Sequence, residues 1–185
     1  MDNDRADKPL EVFISHSSKD VDVAEPLIEL IRAALDVPHK KIRCTSIDGY
    51  RLPTGASINE HLQREVLEAK CFIALLTPYS MQSAYVLFEL GARWGAKLAQ
   101  LPLLAKGLKP SSLRMPLSAL NVLSCSYRAQ LQQFLHDLGT ELSRPLNAPS
   151  VYERYLDRFQ GIDEPKPTEI WTIDLLSDET RLPKL

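Results

Sequence analysis

The chain has 185 residues, 44% of them hydrophobic and 25% charged, with a formal net charge of −2. That length suits one domain of ordinary size with about 40 residues to spare, and the composition is that of an ordinary globular protein. A nucleic-acid partner would ask for a basic excess or a basic face. The one concentrated cluster, His39-Lys-Lys-Ile-Arg43, reads as a solvated turn between a helix and a strand.

Residues 1–9 read as a disordered lead-in. Glu11 to Ser15 forms a short strand, and Asp20 to Leu35 an amphipathic helix with Val23, Leu27, Leu30, Ile31 and Leu35 at helical spacing. Ser17-Ser-Lys-Asp20 fits a capping pattern at its start. A second strand spans Ile42 to Ile47, followed by a loop punctuated by Gly and Pro, Asp48-Gly-Tyr-Arg-Leu-Pro-Thr-Gly55. The second helix runs from Ser57 to Ala69. Cys71 to Thr77 is a continuous apolar strand of the kind covered on both faces. Ser83 to Leu98 forms the third helix, Leu101 to Ala105 the fourth strand, and Gly107 to Ser118 an irregular crossover. Asn121 to Cys125 makes the fifth strand and Arg128 to Leu142 the last helix of the core.

Strands alternating with helices predict an α/β fold of three layers, a five-stranded parallel sheet with helices on both faces. Right-handed crossovers then favour a flavodoxin-like strand order, with ligands bound beyond the carboxyl ends of the strands. Ser15, Asp48, Thr77 and the start of the third helix all fall at that edge. From Pro145 the texture changes. Ser150 to Phe159 reads as a short amphipathic helix, Gly161 to Pro167 as a linker, and Glu169-Ile-Trp-Thr-Ile-Asp-Leu-Leu176 as an apolar segment that must dock somewhere. The expected organisation is therefore a lead-in over 1–9, a domain over 10–143 and an extension over 144–185.

Cys44, Cys71 and Cys125 lie in apolar settings at or beside strands. Their odd number argues for reduced, buried thiols rather than a disulfide frame, and no pair has metal-ligand spacing. The polar N-terminus lacks the features of a signal peptide. Apolar runs fall far short of the ~20 residues needed to span a bilayer. A cytoplasmic protein without metal is the expectation.

Two segments carry the functional signal, Glu11-Val-Phe-Ile-Ser-His-Ser-Ser-Lys-Asp20 and Ser83-Ala-Tyr-Val-Leu-Phe-Glu-Leu-Gly91. Together they resemble the signature of the Toll/interleukin-1 receptor (TIR) domain in its bacterial form, over about residues 10 to 143. In the enzymatic branch of that family a glutamate placed like Glu89 cleaves the nicotinamide–ribose bond of NAD. The chemistry is self-consistent. Nicotinamide departs as a neutral amine from a pyridinium, so no acid is needed to protonate it, unlike the leaving oxygen of an ordinary glycoside. One carboxylate can hold the ribose hydroxyls and stabilise the oxocarbenium-like transition state.

The resemblance also implies roles for the neighbours. Tyr85 lies on the same helical face as Glu89, where related NAD-cleaving domains carry an aromatic residue, often Trp. Ser83 can bind a sugar or cap the helix. Ser15, His16, Ser17 and Asp48 are weaker pocket candidates, with Ser17 better suited to capping. The loop containing Gly49, Arg51, Leu52, Pro53 and Gly55 resembles the one through which TIR domains assemble head to tail. NAD is then substrate, with no cofactor, and the implied partners are further copies of the chain and a sensor or effector protein. Such proteins are similar to bacterial anti-phage effectors that release linear or cyclic ADP-ribose.

Competing readings follow from the same residues. Glu89 could simply pair with Arg93 one helical turn on. The domain could be a scaffold without chemistry, or an enzyme like the nucleoside deoxyribosyltransferases. Gly91 and Gly95, interior to a helix, suggest close packing at that face. A response-regulator receiver needs an aspartate ending the third strand, where this chain has Thr77, and no G-x-G-x-x-G or Walker pattern is present.

Overall fold

A computed structural model of the protein describes residues 10–50 and 58–163. The elements alternate as β1 (Val12–Ser15), α1 (Val21–Leu35), β2 (Ile42–Arg43), α2 (Ile58–Glu68), β3 (Cys71–Leu76), α3 (Ala84–Gly95), β4 (Gln100–Leu104), β5 (Leu123–Ser124), α4 (Arg128–Leu142) and α5 (Pro149–Asp163). All strand pairs are parallel and the order is β2-β1-β3-β4-β5. This is the flavodoxin-like order expected from the alternation. The lead-in at residues 1–9, the loop residues Arg51, Leu52, Pro53 and Gly55, and the segment around Trp171 lie outside the described residues.

Side-chain alternation along the inner strands divides the interior into two cores. Val12, Ile14, Cys71, Ile73 and Leu75 point towards α1, α4 and α5. Phe13, Phe72, Ala74 and Leu76 point the other way, towards α2, α3 and the crossover residues Leu108 and Leu113. Phe13 and Phe72 stack with centroids 5.6 Å apart across the β1–β3 pair. The helix expected over Ser150–Phe159 is longer than its periodicity suggests. Its Tyr152, Leu156 and Phe159 are buried in the core shared with α1, so the core extends beyond α4.

The second strand is much shorter than the expected Ile42–Ile47. After Arg43 the backbone bonds to itself: Cys44 N–H donates to Tyr50 O at 3.2 Å, Ile47 N–H to Cys44 O at 3.2 Å, and Tyr50 N–H to Ile47 O at 3.1 Å. Those turns consume the donors that a longer strand would need. Of the basic cluster, His39 and Lys40 lie exposed in a 3-10 turn, while Arg43 forms a two-pronged pair with Glu65 on α2 at 2.6 and 2.7 Å.

Arg93 settles the end of another helix. It is 1% exposed, and its guanidinium donates to the carbonyls of Val66 (3.1 Å), Leu67 (3.3 Å), Ala69 (2.9 Å) and Ala99. The first three belong to the last turn of α2 and its exit, where carbonyls have no partner within the helix and the dipole favours a cation. Arg93→Met should therefore destabilise the fold by about 3 kcal/mol, because several buried acceptors lose their donor together. Arg93→Lys should recover only part of it, since one ammonium cannot reproduce the guanidinium fork. Denaturant midpoints of the three proteins check this.

Candidate functional site

Strand parity builds the site. Ser15 ends β1 and shares the parity of Phe13, so it projects from the carboxyl edge of the sheet towards the α2–α3 side. On α3, Val86, Leu90 and Arg93 form the buried stripe and Glu89 lies at its margin, half-buried. The two meet: Ser15 Oγ donates to Glu89 Oε2 at 2.5 Å, across 74 residues of sequence. Burial pushes the Glu89 carboxyl above the ordinary carboxylate range, and the Ser15 hydroxyl acts against that rise. The competing reading, an ion pair between Glu89 and Arg93, is not realised, because Arg93 is committed to the carbonyls at the end of α2.

The other candidates take separate places. Tyr85, one turn before Glu89, is 71% exposed. Ser83 is the N-cap of α3 and accepts from Val86 N–H. Ser17 caps the 3-10 turn Ser18–Asp20 that leads into α1. His16 is buried, with Nδ1 3.3 Å from Ile14 O and the ring against Cys44 Sγ. Burial lowers its pKa, which favours a neutral ring, and its recorded contacts do not include Glu89. Asp48 is exposed beyond β2. Gly49 has φ +83°, and a Cβ there would lie 3.0 Å from His39 Nε2, so both the turn and its neighbour require glycine.

Gly91 and Gly95 do not mark close packing among the described residues, since a Cβ at either meets nothing of them within 4 Å. Two large apolar side chains of α3 are exposed on different sides of the helix, Phe88 at 80% and Trp94 at 56%. A cavity of about 500 Å³ lies on the opposite flank of α3 from Ser15, with Leu87, Leu90, Trp94, Met115 and Leu117 among the described residues that wall it. No carboxylate or histidine lines it, so it lacks groups for acid–base work. Among the described residues no group of His, Cys, Asp and Glu is placed to hold a metal ion, and no helix is long and apolar enough to cross a membrane. All three cysteines are buried thiols. Burial pushes the thiols of Cys44 and Cys71 up to about 12, which makes them poor nucleophiles.

Comparison with known proteins agrees with this fold. The family profile described as TIR domain matches residues 12–138. The chain belongs to the TIR-domain family. It is 32% identical over 84 residues to the uncharacterized protein YddK of Bacillus subtilis (strain 168), a match covering 45% of this chain and 31% of that protein. The chain thus aligns with about a third of the length of that curated relative. The crystal structure of the TIR domain of the Toll-related receptor TRR-2 from Hydra magnipapillata superposes with a TM-score of 0.55 at 15% identity. That match covers 71% of this chain and 97% of the Hydra domain, and it speaks for the fold.

A second polar cluster at the carboxyl edge of this TIR domain escaped the sequence reading. Asp20 is fully buried; its Oδ2 accepts from Thr77 Oγ1 at 2.6 Å, and its Oδ1 lies 3.1 Å from Lys106 Nζ, an ion pair without hydrogen-bond alignment. Thr77 Oγ1 in turn accepts from the N–H groups of Tyr79 and Ser80 and shapes the turn before α3. The cluster ties the exits of β1, β3 and β4 together. Its sequence signals were Thr77, placed at that edge by the end of its strand, and Asp20 inside Ser-Ser-Lys-Asp, which reads equally well as a cap; neither pointed to the other. Asp20→Ala should cost about 3 kcal/mol, since it strips Thr77 of its acceptor and Lys106 of its buried counter-charge. Asp20→Asn should cost less, because the amide oxygen still accepts from Thr77. Thermal or denaturant unfolding of both variants measures the difference.

Proposed function

We propose that this TIR domain cleaves the nicotinamide–ribose bond of NAD, with Glu89 as the catalytic carboxylate. The observation that carries the reading is the Ser15–Glu89 pair at the carboxyl edge of the sheet. Glu89 is drawn away from the cation one turn along its own helix and held, partly desolvated, by a hydroxyl from the neighbouring strand. An anion kept in such a setting interacts strongly with positive charge developing on a ribosyl ring. Tyr85 presents its ring one turn away, where it can stack on a base or on nicotinamide. Water or an adenine nitrogen then captures the ribosyl cation, giving linear or cyclic ADP-ribose. Bacterial anti-phage defence, within the cytoplasm, is the setting this chemistry suits.

Assembly through the loop after β2, from Asp48 to Gly55, would complete the open pocket. One observation favours a second reading, a binding module without chemistry: the exposed apolar side chains of α3, Phe88 and Trp94. Incubation with NAD and with deoxynucleosides, followed by assay for free nicotinamide and free base, separates enzyme, scaffold and deoxyribosyltransferase.

Glu89→Gln should lower nicotinamide release by about a thousandfold while the fold is retained. Its stability should move the other way. The folded-state pKa of Glu89 lies above its unfolded value, so ionisation costs the folded protein stability as pH rises through the folded pKa. Glutamine escapes that cost. The variant should melt at the same or a higher temperature than the wild type at pH 7, with any advantage vanishing in acid. An active variant would overturn the assignment.

Tyr85→Ala should reduce turnover by about tenfold, the worth of one aromatic stacking contact. Tyr85→Trp should retain or exceed wild-type turnover. Because the ring is exposed, neither change should shift the melting temperature appreciably. Equal rates in the two variants would make Tyr85 a bystander.

A further inference from the structure

The hydroxyl that meets Glu89 is itself 1% exposed and sits on a strand paired on both sides, with Ser15 opposite Ala74 of β3. It is poorly placed to contact a ligand directly, as the resemblance to the family suggests for this stretch. Glu89 Oε2 is occupied by that hydroxyl. Among the described residues Oε1 accepts no hydrogen bond, yet it is not sealed from solvent. The two oxygens of one carboxylate are thus differentiated by a single donor.

We propose that Ser15 is a positioning residue for Glu89, locking Oε2 so that Oε1 is the oxygen presented to substrate. This deepens the reading of Glu89 as catalytic and rests on it. A carboxylate on a half-buried helix margin can rotate about its terminal torsion, which has broad wells. A donor fixed in a central strand removes that freedom, and groups held by strands are placed more accurately than groups held by loops. The bond also favours the ionised form that the reaction requires.

Among the described residues, the titratable and charged groups on the neighbouring elements are engaged elsewhere. His16, next along from β1, is held by Ile14 O and Cys44. Arg93, on the same helix, is turned to the exit of α2. Glu65, from α2, is paired with Arg43.

The test uses Ser15→Ala and Ser15→Cys in the full chain. Steady-state nicotinamide release is measured from about pH 4 to 9, a range that brackets glutamate and histidine titration. The carboxyl carbon of Glu89 is titrated by NMR in the free protein. In Ser15→Ala, kcat should fall by about tenfold or more with KM little changed, as expected when a catalytic group loses its alignment. The acid limb of kcat should move to higher pH, because the donor that favoured ionisation is gone. The carboxyl midpoint in the free protein should rise in the same direction. Ser15→Cys, close in volume with a weaker donor, should fall between the two. If Ser15 only packs, the variants will lose thermal stability while kcat per folded molecule and the acid limb stay put, and the proposal fails. An unmoved NMR midpoint overturns it as well. A wild type that releases no nicotinamide would sink the catalytic reading and with it the positioning role, whereas an active wild type with unaltered Ser15 variants sinks the positioning role alone.

Discussion

Coverage of β1 and β3 on both faces is the constraint from which the rest of this molecule follows. Each inner strand must send alternate side chains into two different cores, so every residue at a strand end has its side assigned before any loop is considered. Ser15 inherits the side of Phe13 and therefore meets α3. Thr77, two residues beyond Leu75, shares its parity and bonds Asp20 at the start of α1. The two polar contacts that organise the carboxyl edge are consequences of the same pleat, one on each face.

Competition for Arg93 explains how a carboxylate on an ordinary helix loses the partner its spacing offers. At the surface, Glu89 and Arg93 would form an i,i+4 pair worth a few tenths of a kcal/mol. The exit of α2 offers the guanidinium several carbonyls at once, all out of water, and that set is the stronger attraction. Glu89 is left without a cation and with part of its surface desolvated, so its charged form is held less favourably than in solution. A site of this kind stores a small instability in the free protein that a cationic transition state can relieve.

The fold was legible because its signals are long: the apolar run of β3, the helical periodicity of α1 and the bounds of α4 require no knowledge of partners. The edge strands were not, since β2 and β5 each hold only two paired residues. Around β2 the turn from Cys44 to Tyr50 takes over donors that the residue types left to a strand. Of the site, Glu89 was legible through its motif and Ser15 through its position at a strand end, but not their bond, which depends on parity and on a helix packing across the sheet. Asp20 and Lys106 were illegible for a related reason. A buried ion pair formed by residues far apart in sequence has no local pattern, and each partner looks like an ordinary surface residue.

The same reasoning separates the two apolar features of α3. Val86 and Leu90 are buried because the sheet needs them, and their spacing follows the helix repeat. Tyr85 and Phe88 answer to no partner inside the domain, and Gly91 and Gly95 leave the surface beside them low rather than filled. A lone exposed aromatic residue is unremarkable on a protein surface, but several on one helix next to a desolvated carboxylate form an apolar approach to it. Charge developing at a ribosyl centre is felt most strongly where water is scarce, and a stacked planar ligand would exclude water from Glu89. On the proposed reading the exposed rings and the carboxylate would act together: a ligand stacked on the rings would keep water from the anion, and the strand hydroxyl would set its direction.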